Sequence, residues 1–184
     1  MAAERWFYRT ADEWNAITER LKQLPCPHCK VVGALIRHGY LRGYDETSPQ
    51  RKTVRARRLF CSNRYARRGC GRTVSVWLAD KIRRLSLSAD RLGRFLQRAA
   101  TDGILAALRG NDGPLSDRTL LRLWRRFRHS QSKLRTALFA RCPPPERLAA
   151  HRPAAQLLAH LQAAFPDAPC PIAAFQHSLR TFFV

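Results

Sequence analysis

The chain has 184 residues, 34 lysines and arginines against 13 aspartates and glutamates, and a formal net charge of +21. A charge of this size calls for a polyanionic partner or leaves the protein poorly soluble. No apolar run approaches the roughly 20 residues of a membrane span, and six cysteines without a secretory signal point to a reducing cytoplasm and to metal ligation rather than disulfides.

The charge is unevenly placed. Residues 1–25 carry 4 basic and 4 acidic groups, residues 26–80 carry 12 and 3, residues 81–141 carry 15 and 4, and residues 142–184 carry 3 and 2. The charge therefore sits in the middle of the chain; the motifs below divide it into an N-terminal helix over 1–24, a metal module over 25–80, a basic helical domain over 81–141, and a Pro-rich linker, helix and apolar tail over 142–184. Of the 34 basic residues 29 are arginine, the side chain suited to bidentate contacts with phosphate and guanine. An arginine-biased genome accounts for part of that excess.

In chain order, Arg5–Arg9 carries three large aromatics (Trp6, Phe7, Tyr8) and reads as a short strand. Thr10 and Glu13 form a capping box, so a helix is expected to start there and run to about Leu24, where Pro25 stops it. Trp14, Ile17, Leu21 and Leu24 share one face of that helix. The face is expected to pack on the metal module, or to dock a partner.

Cys26-Pro27-His28-Cys29 places two thiols at one tight turn, the edge of a tetrahedral site. Cys61 and Cys70 would supply the second edge. Eight residues separate them instead of two, so 62–69 must loop out and return. Between the pairs a hairpin is expected: Ala34–Leu41 out, a polar tip at Gly43–Gln50, and Lys52–Phe60 back. The set Cys26, Cys29, Cys61 and Cys70 therefore reads as one structural Zn²⁺ site in a zinc ribbon. His28 and His38 are alternative ligands, and four buried thiols are the bland alternative. Arg51, Arg55, Arg57 and Arg58 on the return strand, with Arg67, Arg68 and Arg72 near the second pair, are candidate contacts to a phosphate backbone. The competing reading is a solvated edge strand protected by charge.

Cys-Pro-His-Cys, His38-Gly39 with Arg42, Phe60-Cys61, and Gly69-Cys70-Gly71-Arg72-Thr73 with Ser75 resemble the zinc-ribbon region of bacterial insertion-sequence proteins, both transposases and their small accessory or regulatory proteins. The resemblance covers roughly residues 24 to 130, because a helix-turn-helix follows the ribbon in that family. It implies binding to transposon DNA. The chain departs from full transposases in lacking a catalytic domain behind these modules.

After Trp77 the pattern turns helical. Ser88 caps a helix with Leu92, Phe95, Leu96 and Ala99 inward. Asp102 is expected to cap a short helix, Ile104–Leu108, ended by Gly110. Ser116 caps a third helix, in which Leu120, Leu123, Trp124 and Phe127 form the buried stripe. Arg118, Arg122, Arg125 and His129 share the opposite face, flanked by Arg126. Short helix, turn, basic helix is the order of a helix-turn-helix, whose second helix enters the major groove through its N-terminal part. Asp117, Arg118, Thr119 and Arg122 would then read bases, with Arg125 and Arg126 alongside. An ordinary basic-surfaced helical bundle is the rival.

Cys142-Pro-Pro-Pro145 reads as a rigid linker, followed by a helical segment over Glu146–Phe165 with a possible break at Pro153. The tail, with Phe175, Leu179, Phe182, Phe183 and Val184, either packs back on the body or holds a partner. Cys142 and Cys170 with His151, His160 and His177 are too irregularly spaced for a second metal site. The scattered acids give no carboxylate cluster, and no catalytic motif is present. The expected fold class is α+β, mainly α: a small zinc-ribbon β-hairpin module, a helix-turn-helix-like bundle and a helical C-terminal segment. The expected function is non-catalytic recognition of double-stranded DNA for a mobile element, in a bacterial cytoplasm. A separate transposase would dock through the N-terminal helix or the C-terminal tail. RNA binding, or service as an accessory subunit of a nuclease, are the alternatives.

Overall fold

The computed structural model describes residues 6–48, 50–66, 68–113, 115–145 and 152–184. Strand β1 (Trp6–Tyr8) leads into helix α1 (Ala11–Glu19), and β2 (Leu35–Tyr44), β3 (Lys52–Cys61) and β4 (Thr73–Leu78) follow. These strands form one mixed sheet in the order β1-β4-β3-β2. β1 lies parallel to β4, with Phe7 opposite Trp77, while the other pairings are antiparallel. The expected mainly-α fold with a lone hairpin is therefore corrected: helix makes up 42% and strand 19% of the described residues, and the hairpin is half of a four-stranded sheet. β4 alternates as a half-buried strand should, with Val74 and Val76 inward. Its arrival beside β3 makes β3 a central strand and leaves β2 as the edge.

Thr10 caps α1 by accepting from the Glu13 N–H at 3.2 Å. The Glu13 carboxylate reaches back one residue further than a capping box requires, to the Arg9 N–H at 2.7 Å. The helix ends at Glu19 rather than Leu24, and turns carry the chain to Pro25. Trp14 and Leu21 still pack on the sheet, in a core with Tyr8, Leu35, Leu59, Val74, Val76 and the buried Cys26 and Cys61.

The helical half comprises α2 (Ala89–Thr101), α3 (Ile104–Arg109), α4 (Asp117–Phe139), α5 (Pro153–Ala164) and α6 (Pro171–Ser178). Ser88 caps α2 as expected, accepting from the Arg91 N–H. Asp102 closes α2 instead of opening α3, whose N-cap is Gly103. The third helix, expected to start after Ser116, is a 23-residue element, α4. Pro153 begins α5 at its first turn, where a missing N–H is harmless. The linker expected at Cys142–Pro145 lies outside any helix or strand, and the part of the expected helical segment over 146–151, with His151, lies outside the described residues.

A second core joins α2, α4, α5 and α6, including Leu92, Leu96, Leu123, Phe127, Leu157, Phe175 and Phe183. The apolar tail thus packs back on the body. Phe182 sets its ring edge-on to Phe7 and Trp77 of the sheet, each at 5.2 Å, while Phe183 turns into the helical core against Phe127 and Phe175. Buried Gln176 ties the same seam: its amide donates to the Ala79 carbonyl at 2.7 Å and its oxygen accepts from the Phe183 N–H at 3.2 Å. At the other end the hairpin tip meets α2, where the Ser88 N–H donates to Glu46 Oε2 at 2.6 Å. Among the described residues no helix is long and apolar enough to cross a membrane.

Candidate metal centre and basic surfaces

Two backbone turns build the cysteine site, and they are the same turn. In the first, the Cys26 carbonyl accepts from the Lys30 N–H at 2.8 Å, and the Cys26 N–H donates to the Val31 carbonyl at 3.0 Å. In the second, the Cys61 carbonyl accepts from the Gly71 N–H at 2.9 Å, and the Cys61 N–H donates to the Arg72 carbonyl at 2.9 Å. Lys30 and Gly71 hold corresponding positions and both have left-handed backbones, with φ of 62° and 70°. Ser62 and Gly69 therefore stand where Pro27 and His28 stand in the first turn. They are pinched together by a Gly69 N–H to Ser62 carbonyl bond of 3.0 Å, and a Cβ on Gly69 would collide with that carbonyl. The irregular spacing is an ordinary two-cysteine turn with six residues, 63–68, extruded from its apex.

The four Sγ atoms lie within 4.8 Å of one another, with Cys26–Cys70 at 3.9 Å and Cys29–Cys61 at 3.7 Å. All four thiols are free, so the cluster is not a pair of disulfides. It can hold one metal ion. Backbone N–H groups already point at the sulfurs, among them His28 at Cys26 and Cys70 at Cys61. The site is graded electrostatically. The Cys29 thiol is drawn down to about 7, chiefly by the Val31 N–H, whereas burial pushes Cys61 up to about 12. His28 and His38 stand outside the four-sulfur set among the described residues. His38 is the extra residue at a β-bulge between Arg37 and Gly39, with its ring 5.4 Å from Phe60. Cys142 and Cys170 join no such cluster among the described residues. Buried His160 is instead bonded to the Cys142 carbonyl at 2.9 Å.

The arginines of β3 divide. Arg51 is exposed and Arg58 half-buried, but Arg55 is only 7% exposed. Its side chain lies across Gly43, where a Cβ would collide with it, and donates to the Tyr44 carbonyl. Burial lowers its pKa, opposed by Asp80, Glu46 and Asp45. Arg57 is held among three rings, 4.9 Å from Trp14, 5.6 Å from Tyr40 and 5.7 Å from Tyr8. Arg55 and Arg57 thus do not line an exposed edge. Arg55 is buried and Arg57 partly buried, each held by groups from other elements. Desolvated cation–π contacts contribute about 2 kcal/mol or more, so Arg57→Ala is expected to lower the thermal midpoint by several degrees in a melting experiment. It is not expected to weaken ligand binding selectively.

Arg68 and Arg72 are exposed beside the second cysteine pair, and Arg67 lies outside the described residues. The larger surface is α4. Arg118, Arg122, Arg125, Arg126, Arg128, His129 and Lys133 are exposed, Thr119 is partly so, and Leu120, Leu123 and Phe127 face inward as predicted. The helix holds seven arginines and lysines and one acid, Asp117. Among the described residues none of the seven has a carboxylate partner. Arg126 also lines a cleft of about 220 Å³ with Arg83, Ser130 and Lys133, beside Phe182 and Phe183. The connection from α3 to α4 spans residues 110–116, longer than the three or four residues of a compact helix-turn-helix. Compared with known proteins, the sequence matches no family model and no curated protein, and its structure matches no solved structure.

Proposed function

We propose that this chain is a zinc-stabilised, non-catalytic DNA-binding protein of a mobile genetic element. It would recognise the element's ends or promoter and recruit or regulate a separate transposase. The observation that carries the reading is α4: a 23-residue helix, about 34 Å long, whose exposed side carries arginines with no carboxylate partner among the described residues, while its other side anchors the core. Such a helix fits the major groove, and arginine reads guanine there through two parallel hydrogen bonds. Asp117, Arg118, Thr119 and Arg122 at its N-terminal end are the base-reading set. Arg125 and Arg126 further along, with Arg51, Arg68 and Arg72 on the ribbon, supply phosphate contacts.

Zinc suits the cysteine site by geometry and by chemistry. A tetrahedron with Zn–S bonds of ~2.3 Å has edges of about 3.8 Å, and the Cys26–Cys70 and Cys29–Cys61 sulfur separations are 3.9 and 3.7 Å. Four sulfurs close the coordination sphere, so the ion would hold the fold together and leave no position for a reactive water. The assignment to a mobile element rests on the Cys-Pro-His-Cys and Cys-Gly-Arg-Thr resemblance.

Selection from a random duplex-DNA pool at ~150 mM salt tests the proposal. The expected result is a motif bound at least ~10³-fold tighter than scrambled DNA. Arg122→Ala should then relax preference at one position, with a loss of about 1–3 kcal/mol. A steep salt dependence with no motif would reduce the role of α4 to charge alone. Structured RNA outcompeting duplex DNA at equal salt would replace the DNA reading with an RNA one. Metal-dependent cleavage by the purified chain would overturn the non-catalytic assignment.

A further inference from the structure

The metal turn closes through Ser62 and Gly69, so the six residues between them are not needed to place the cysteines. The root of the extruded loop is nevertheless fixed. The Gly69 N–H bonds the Ser62 carbonyl, the Arg64 N–H bonds Ser62 Oγ at 3.3 Å, and the Asn63 amide packs against Gly71. Arg64 sets its guanidinium 5.8 Å from the Phe60 ring. At the apex Tyr65 is 95% exposed, and neither its ring nor its hydroxyl has a partner among the described residues. Tyr65 and Ala66 both have left-handed backbones, with φ of 53° and 61°. Two consecutive residues with side chains rarely adopt this, and such strain concentrates at working surfaces. Exposed Arg64 and Arg68 flank the ring, and the sequence from 62 to 69 contains no acid.

We infer that the loop between Ser62 and Gly69 carries a base-stacking finger: Tyr65 lies against the face of an unpaired nucleobase while Arg64 and Arg68 hold the phosphates on either side of it. This rests on the nucleic-acid reading above and narrows it. Every base offers a π face, so an aromatic ring on a rigid, cationic mount takes bases without regard to sequence. Inside an intact duplex those faces are covered by their neighbours. The finger therefore selects single strands, frayed ends or extruded bases, whereas α4 addresses the paired duplex. A protein partner would also accept an exposed tyrosine. The flanking arginines and the lack of another large apolar side chain at the apex among the described residues favour a nucleic acid.

The test uses the full-length, zinc-loaded chain and three labelled probes: a closed dumbbell duplex without ends, the same dumbbell with one unpaired 2-aminopurine, and a single-stranded oligothymidine. Wild type should bind all three and quench the 2-aminopurine by stacking. Tyr65→Ala should weaken binding to the bulged and single-stranded probes by about 5- to 100-fold. It should abolish the quenching and leave the closed dumbbell within twofold. Tyr65→Trp should restore both signals. Because the Tyr65 ring is 95% exposed and has no partner among the described residues, the thermal midpoint should be the same for all variants. Equal loss on every probe, or no loss on any, would overturn the finger while the duplex-binding reading stands. Failure of wild type to bind any probe would overturn the reading beneath it.

Discussion

Cys61→Ser is expected to abolish metal retention and unfold the sheet half of the molecule. Cys61 ends β3, opposite Leu35 of β2, and its N–H and carbonyl close the second metal turn. A structural zinc site contributes roughly 10–16 kcal/mol of apparent binding energy at neutral pH, comparable with the whole stability of a typical domain. The sheet core is small and includes two of the sulfurs. Wild type should hold about one zinc per chain, measured by colorimetric release. Cys61→Ser should hold none, and its near-ultraviolet circular dichroism from Tyr8, Trp14 and Trp77 should collapse. The helical half has its own core and should keep most of its far-ultraviolet signal. Cys142→Ser, outside the cluster, serves as the control and should retain the metal. The pH dependence has a definite sign. Without metal the Cys61 thiol keeps its proton up to about 12 and Cys29 to about 7, so metal uptake at neutral pH releases protons. Affinity therefore falls as pH falls. A metal-free wild type with an unshifted cooperative melt would refute the structural role of the site.

What the sequence discloses about this site follows from locality. A thiol pair two residues apart, Pro27 between them, and Gly71 just after Cys70 are local signals, and they specify two turns before any fold is known. The identity of the two turns is less visible, because the eight-residue gap hides it. Its trace is the order Cys-Ser…Gly-Cys-Gly, in which Ser62 and Gly69 replace the missing pair.

Arg55 and Arg57 show where such reading stops. Alternating basic and small residues on β3 suggest an exposed edge, and that holds only if nothing pairs on the far side. β4 pairs there, and the groups that absorb the two arginines come from elsewhere in the chain. Tyr8 belongs to β1, Trp14 to α1 and Tyr40 to β2, while the acids around Arg55 include Asp80 from the start of the helical half. Residue spacing carries no record of such meetings. The parallel pairing of β1 with β4 was hidden for the same reason, since Trp6–Tyr8 fixes a strand but not its neighbour. α4 was legible because its stripe and its basic face are both periodic within one element.

The tail supplies the second large effect. Phe183 is 1% exposed and packs against Phe127 of α4 and Phe175 of α6, at ring separations of 5.9 and 5.3 Å. Truncating a buried phenylalanine removes its transfer energy and leaves a cavity, about 3–5 kcal/mol together. For a chain of this size 1 kcal/mol corresponds to roughly 2–4 °C, so Phe183→Ala should lower the thermal midpoint by about 10 °C in calorimetry. Its neighbour should behave differently. Phe182 is only partly buried and faces the other way, onto Phe7 and Trp77. Phe182→Ala removes contacts between the two cores rather than within one. It should produce a smaller shift but separate the sheet and helical transitions, so that zinc raises the melting of the first without moving the second. The two adjacent rings are therefore distinguishable by experiment: one sets the stability of the helical half, and the other sets whether the metal's stabilisation reaches it. A Phe183→Ala midpoint within 2 °C of wild type would remove the tail from the core, and with it the basis for treating 172–184 as the joint between the two halves.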